Sequence, residues 1–259
     1  MTLVIALRCT DGLVMASDGM STEAAPLGAS QITKHETADK IVVHKDFMWG
    51  ASGSVGVKQV VQNEIEKDYG TLFQRNISAT DLRLRLVKKI QPILKEQYQL
   101  VGGLTNQPQL IPFTNFIFGV KLHDGFHLLN IESNCAGEVV ECRHFATGSA
   151  AKTGQALLRR LRNQEWDVRT GLVVAYRTLN DAIHIEPFGI GPPIYLARYY
   201  MNGQQQKIEK IEVGSPEYQQ IADTARAWTI LEHDALQSLK AGNIDKANEK
   251  TVSDIPKPA

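Results

Sequence analysis

The residue best placed to do chemistry stands at the start of the chain. Thr2 follows the initiator Met1, and a small second residue favours removal of that methionine. Removal would leave a threonine with a free α-amine at the head of an apolar run. The unperturbed pKa of such an amine is ~7.7–8.0, so near neutrality it can accept the proton of the hydroxyl carried by the same residue. Threonine-amine nucleophiles are one variant among many, and on its own Thr2 reads as an ordinary second residue. Asp18 and Lys40 come next. If the strands that carry them are neighbours, carboxylate and ammonium meet beside Thr2, where Lys40 lowers the pKa of the threonine hydroxyl and Asp18 holds Lys40 charged. An isolated Asp–Lys pair on the surface would instead contribute under ~1 kcal/mol and no chemistry. Trp49-Gly50-Ala51-Ser52-Gly53-Ser54 then leads from a strand to a helix through small residues. A backbone N–H there can face a developing oxyanion without side-chain obstruction, although such a turn also serves as a plain connection.

Positioning these residues requires strands around Thr2. Leu3 to Cys9 and Leu13 to Asp18 are apolar, β-prone runs joined by the hairpin signal Thr10-Asp11-Gly12. Gly19 to Asp39 is rich in small and polar residues and reads as irregular, and Lys40 to His44 with Phe47 to Ala51 reads as a second hairpin. One helix is expected from about Val57 to Tyr69. A second opens at Ser78 to Asp81, carries Leu82, Leu86, Ile90 and Leu94 on one stripe, and bends at Pro92. Val101 to Pro112 reads as loop, Asn115 to Leu122 and Phe126 to Glu132 as a hairpin, and Glu138 to Phe145 as one further strand. Helical spacing returns at Ala151 to Leu161 and Leu172 to Ile183. Strands at Ile194 to Met201 and Lys207 to Val213 enclose Asn202-Gly203, and Ser215-Pro216-Glu217 caps a last helix carrying Trp228. This grouping excludes an alternating βαβ pattern and predicts an α+β fold of antiparallel sheets covered by helix pairs. A single domain is expected over residues 1–241, with a mobile tail at 242–259.

Composition narrows the function classes. The chain has 259 residues, 43% hydrophobic and 22% charged, which is ample for a sizeable core and far from the profile of disorder. Twenty-eight basic residues balance 28 acidic ones, so no global field draws nucleic acid or an anionic membrane surface. No apolar stretch approaches the ~20 residues that span a bilayer, and Arg8 interrupts the first run before a signal-peptide core could form. The chain therefore reads as cytoplasmic, with Cys9, Cys135 and Cys142 as reduced packing residues. Gly189-Ile-Gly191 precedes Pro192-Pro193, which prevents the helix that a dinucleotide fingerprint needs, so it is a turn. His123 and His127 lack a third ligand and predict no metal site. Arg159, Arg160 and Arg162 accompany Leu157, Leu158 and Leu161 as a solvated basic face or a subunit contact.

Five segments together resemble the successive motifs of proteasome β-type subunits: Thr2-Leu-Val-Ile-Ala-Leu, Gly12-Leu-Val-Met-Ala-Ser-Asp18, Asp39-Lys40-Ile-Val-Val, Gly50-Ala-Ser-Gly53-Ser and Ala146-Thr-Gly148-Ser149. Within that family the chain is most similar to bacterial proteasome homologues and to the peptidase subunit of the Hsl-type two-component protease. The resemblance implies the N-terminal-nucleophile hydrolase fold, a four-layer αββα sandwich. It places the nucleophile on Thr2, the lysine on Lys40, the aspartate that orients it on Asp18, and the oxyanion-hole N–H on Gly53. It also places the serine that hydrogen-bonds the threonine amine on Ser149 and a supporting aspartate on Asp181. The next family position, usually a second serine, is His184. Thr22 matches the residue whose backbone pairs with an extended substrate. Ser21, Ala38, Ala51 and Val55 match the first specificity pocket, and being small or apolar they predict acceptance of apolar side chains. The stretch from Asp18 to Lys40 is several residues longer than usual, so the loop on the substrate side is expected to cover part of the site.

The resemblance thus implies a threonine peptidase subunit of homo-oligomeric stacked rings, cleaving peptides or unfolded proteins through an acyl-enzyme and needing neither cofactor nor metal. An ATPase unfoldase is a partner that it admits. Two other classes compete: a catalytically inactive ring or scaffold subunit that keeps Met1, and a small-molecule amide hydrolase of the wider class. The state of the N-terminus separates the first from the second, and the strand order argues against the third.

Overall fold

The computed structural model describes residues 2–23, 33–36, 39–74, 76–105, 114–161, 165–187 and 189–240. The strands β1 (Val4–Arg8) and β2 (Gly12–Asp18) are buried on both faces, and therefore they read as continuous apolar runs rather than as alternations. Val4, Ala6, Leu13 and Met15 face one core, while Leu3, Ile5, Leu7, Val14 and Ala16 face another. The chain continues through β3 (Met20–Glu23), β4 (Thr33–Glu36), β5 (Ile41–Val43) and β6 (Phe47–Ser52), then α1 (Val55–Lys67), α2 (Tyr69–Leu72) and α3 (Ala79–Thr105). Next come β7 (Asn115–Leu122), β8 (Gly125–Ile131), β9 (Gly137–Val139), β10 (His144–Thr147), α4 (Ala151–Arg159) and α5 (Val168–Ile185). The strands β11 (Ile194–Asn202) and β12 (Gln205–Ile211) and the helix α6 (Pro216–Lys240) complete the described elements.

Two antiparallel five-stranded sheets result, in the orders β10-β1-β2-β11-β12 and β5-β6-β7-β8-β9, with β3 and β4 as a separate two-stranded ribbon. Three cores stack through the molecule. One lies between the first sheet and α4, α5 and α6, one between the two sheets, and one between the second sheet and α1, α2 and α3. This is the αββα sandwich. Trp49, Phe116 and Phe118 anchor the outer core of the second sheet, and Trp228 is buried at the other outer core, as its amphipathic helix predicts.

Local expectations differ from the fold in four places. Part of the stretch read as irregular between Gly19 and Asp39 pairs into the β3–β4 ribbon. The strand expected from Glu138 to Phe145 is two strands: β9 edges the second sheet and β10 edges the first, so the chain crosses between layers at residues 140–143. The α3 helix runs through Pro92 to Thr105, past the Gly102-Gly103 expected to be loop. Cys142 is exposed, so of the three thiols read as packing residues it is the one that packs nothing. Ala38, Arg162 and the stretch 241–259, with its expected tail, lie outside the described residues. Among the described residues no helix is long and apolar enough to cross a membrane.

Candidate active site

Register places the residues. Val4 of β1 pairs with Thr147 on one side and Ser17 on the other, so the antiparallel ladders carry Ser149 and Asp18 to either flank of Thr2 and Leu3. The Thr2 backbone nitrogen donates to Ser149 Oγ at 2.9 Å, and the Ser149 hydroxyl donates to Thr2 O at 3.4 Å. Ala150 N also donates to Thr2 O, at 3.3 Å. Such fastening requires Gly148. Its φ is +111°, and a Cβ there would stand 2.2 Å from Thr2 O. Thr2 itself is 8% exposed, a polar residue held within the mouth of the sandwich.

Asp18 and Lys40 form the buried centre of the site. Asp18 Oδ1 accepts from Leu3 N at 2.8 Å and from Lys40 Nζ at 2.6 Å. Its Oδ2 accepts from Met20 N at 3.2 Å and Gly191 N at 3.4 Å. Lys40 donates a second bond to Met20 O at 2.8 Å. Asp18 is 0% exposed and Lys40 7%, so this is no surface pair. Burial pulls the lysine below its usual pKa, opposed by the charge and hydrogen bond of Asp18. Lys40 leads into β5 of the second sheet and Thr2 into β1 of the first; Asp18, at the end of β2, joins them across the sheet gap.

Gly53 closes the same end. Ser52 Oγ and Thr147 Oγ1 lie 3.3 Å apart and stitch β6 to β10, which brings the turn that follows Ser52 to the end of the sandwich where Ser149 and Thr2 stand. Gly53 is exposed with φ +108°, a conformation that glycine adopts without steric cost. Ser54 Oγ then caps α1 by accepting from Val57 N. Val55 is half-exposed on the first turn of α1, whereas Ala51 is 4% exposed and packs in the outer core under that helix. Ser21 and Thr22 lie on β3, opposite His35 and Lys34 of β4.

Asp181 lies on α5. It pairs with Arg177 at 3.6 Å, and Arg177 in turn binds Glu232 on α6 and lies 4.4 Å over the Trp228 ring, a network that ties α5 to α6. Burial raises the Asp181 carboxyl above its usual range. Among the described residues both hydrogen bonds of the Ser149 hydroxyl go to Thr2. His184 is exposed and donates from Nδ1 to Asn180 O of its own helix at 2.7 Å. Two contributors escaped the sequence reading. Gly191, read only as a turn residue, donates to Asp18, and the two glycines flanking Ile190 were the signal that a backbone comes close there. Lys58, whose ammonium donates to Asp39 O at 2.6 Å in the peptide before Lys40, gave no signal at all.

A threonine at the open end of two stacked antiparallel sheets, with helices on both outer faces, defines the fold of the N-terminal-nucleophile hydrolases. The model of the family described as proteasome subunit matches residues 2–192. The chain belongs to the proteasome subunit family. Among solved structures it is similar to the helical assembly of the Anbu complex from Pseudomonas aeruginosa, with TM-score 0.65, 18% identity, and 91% of this chain and 96% of that one covered. It is also similar to Anbu from Yersinia bercovieri, described as an ancestral β-subunit, with TM-score 0.63, 17% identity, and coverages of 93% and 97%. An Anbu mutant from Hyphomicrobium sp. strain MC1 gives TM-score 0.63, 19% identity, and coverages of 92% and 97%. Comparison with curated proteins finds no match.

Proposed function

We propose that this chain is the threonine-type endopeptidase subunit of a homo-oligomeric, self-compartmentalising assembly, with Thr2 as nucleophile after removal of Met1. The observation that supports it most is the bifurcated Asp18 carboxylate, which binds the backbone at Leu3 and the Lys40 ammonium with one oxygen and so fastens that charge next to Thr2. In the reaction the free Thr2 amine takes the hydroxyl proton, Oγ1 attacks the scissile carbonyl, and the amine returns the proton to the leaving amine. Lys40 lowers the energy of the developing alkoxide, and the Gly53 N–H donates to the oxyanion. Water activated by the same amine then cleaves the ester. Ser149, already bonded to the Thr2 nitrogen, orients that amine. Asp181 acts more remotely, through the placement of α5. An assembly keeps such a site away from folded protein, and the helical assembly of the similar Anbu complex supports oligomerisation of this chain.

Thr2→Ala and intact mass together test this. The purified chain should be lighter by one methionine, and a peptide epoxyketone, which needs hydroxyl and free amine to close its ring, should label Thr2. Thr2→Ala should abolish hydrolysis while leaving the assembly unchanged. Retention of Met1 without labelling would transfer the chain to the inactive scaffold class.

A further inference from the structure

A second lysine stands behind the first. Lys58 lies on the second turn of α1, and its backbone N–H donates to Ser54 O at 3.1 Å, one residue past Gly53. Its ammonium leaves the helix and donates to the Asp39 carbonyl at 2.6 Å, in the peptide immediately before Lys40. Asp39 is itself tied at three points. Its carboxylate accepts from Ile41 N at 2.9 Å and from Lys210 Nζ at 2.5 Å on β12, and its carbonyl receives Lys58. Lys58 therefore spans from the helix that follows the Gly53 turn to the strand that presents Lys40, and it joins the two segments that the proposed chemistry must hold in register.

We propose that Lys58 is a positioning residue of this site, bracing the Asp39–Lys40 backbone against α1 and biasing the charge of Lys40 by its own. This deepens the peptidase reading and rests on it for the catalytic part. The charged groups that face Lys58 are Asp39, Lys210 and Lys40. Burial, with Lys210 and Lys40 adding to it and Asp39 opposing, brings the Lys58 ammonium down to about 8. Coupling between two titrating groups is reciprocal, so the cation on Lys58 also disfavours the cation on Lys40, and losing it above pH ~8 relaxes Lys40 toward its charged form. The same loss weakens the bond to Asp39 from a charge-assisted one to a neutral one.

The test uses the full chain with lysine ¹³Cε labels, titrated by NMR, beside the pH profile of peptide hydrolysis. In Lys58→Met the Lys40 resonance should titrate at a higher pH than in the parent, and in Lys58→Arg it should not move up. Divided at each pH by the kcat/KM of Lys58→Arg, so that the limb of the Thr2 amine common to both cancels, parent kcat/KM should fall through pH ~8 to a lower plateau as the brace weakens. Lys58→Met should start roughly tenfold down without that limb, part of the ~10²-fold that a 1 Å misplacement costs. Lys58→Arg should keep the parent rate and carry it beyond that pH. An unmoved Lys40 titration in Lys58→Met, or an intact alkaline limb in it, overturns the proposal. If the parent hydrolyses nothing, the peptidase reading has failed, and the Lys40 titration still decides the coupling. Unfolding of Lys58→Met alone would be separated from loss of charge by Lys58→Arg, which keeps the brace.

Discussion

Asp18→Asn probes the centre of the site because every partner of that carboxylate is a donor. Four N–H groups converge on it, from Leu3, Lys40, Met20 and Gly191. An asparagine has one oxygen, so whichever way the amide turns, its NH₂ confronts two donors. With the amide oxygen toward Leu3 and Lys40, the Met20 and Gly191 N–H groups are orphaned; with the opposite rotamer, the NH₂ faces the ammonium itself. The side chains concerned are 0% and 8% exposed, so water cannot substitute. Breaking a buried pair by removing one partner costs ~3–5 kcal/mol, against the under ~1 kcal/mol expected of an exposed one. The pH dependence has a definite sign. Lys40 in the folded state already lies below its ordinary value because of burial, and without Asp18 the opposing charge is gone and it falls further. A folded pKa below the unfolded one means that the unfolded chain binds more protons, so the variant should regain stability as pH rises through the window between the two. Urea unfolding at fixed protein concentration, at pH 6 and pH 9, measures both effects. Asp18→Asn/Lys40→Met should recover more than ~1 kcal/mol relative to Asp18→Asn alone, since the uncompensated charge is removed with its partner. A loss below ~1 kcal/mol at both pH values would falsify the buried-pair reasoning.

Gly148→Ala should destabilise by ~1–3 kcal/mol through its positive φ, and push Thr2 out of place, lowering the rate of Thr2 labelling by an active-site probe roughly 10²-fold; unchanged melting and labelling would contradict it. Iodoacetamide should alkylate exposed Cys142 first and Cys135 slowly, while Cys9, buried and with its thiol pushed up by that burial, should react only on unfolding, as peptide mass mapping would report. A peptide library should show acceptance of apolar side chains before the cut bond, given the half-exposed, apolar Val55 two residues after Gly53; strict preference for charged residues there would count against that expectation. Light scattering at micromolar concentration should find an oligomer, and a species of one chain's mass would refute the assembly.

Strand runs, hairpin turns and helical stripes were legible residue by residue, because side-chain period and turn chemistry are local. The motif around Thr2, Asp18, Lys40, Gly53 and Ser149 was legible too, as an ordered series, and the sandwich brings those five to one end. What local pattern could not carry was partner choice. Glu138 to Phe145 is one apolar-polar stretch in sequence, yet its halves pair with β8 and with β1 in different sheets, because each edge strand takes the ladder its layer leaves open. The same limit hid Gly191, whose N–H completes the shell of a carboxylate 173 residues away, and Lys58, whose ordinary place on a polar helix face becomes a brace only when α1 packs beside Asp39. Whether Asp18 and Lys40 were a surface pair or a buried one also depended on packing. Two stacked sheets exclude water from that junction, and exclusion of water turns the same two charges from a weak contact into a costly and directive one.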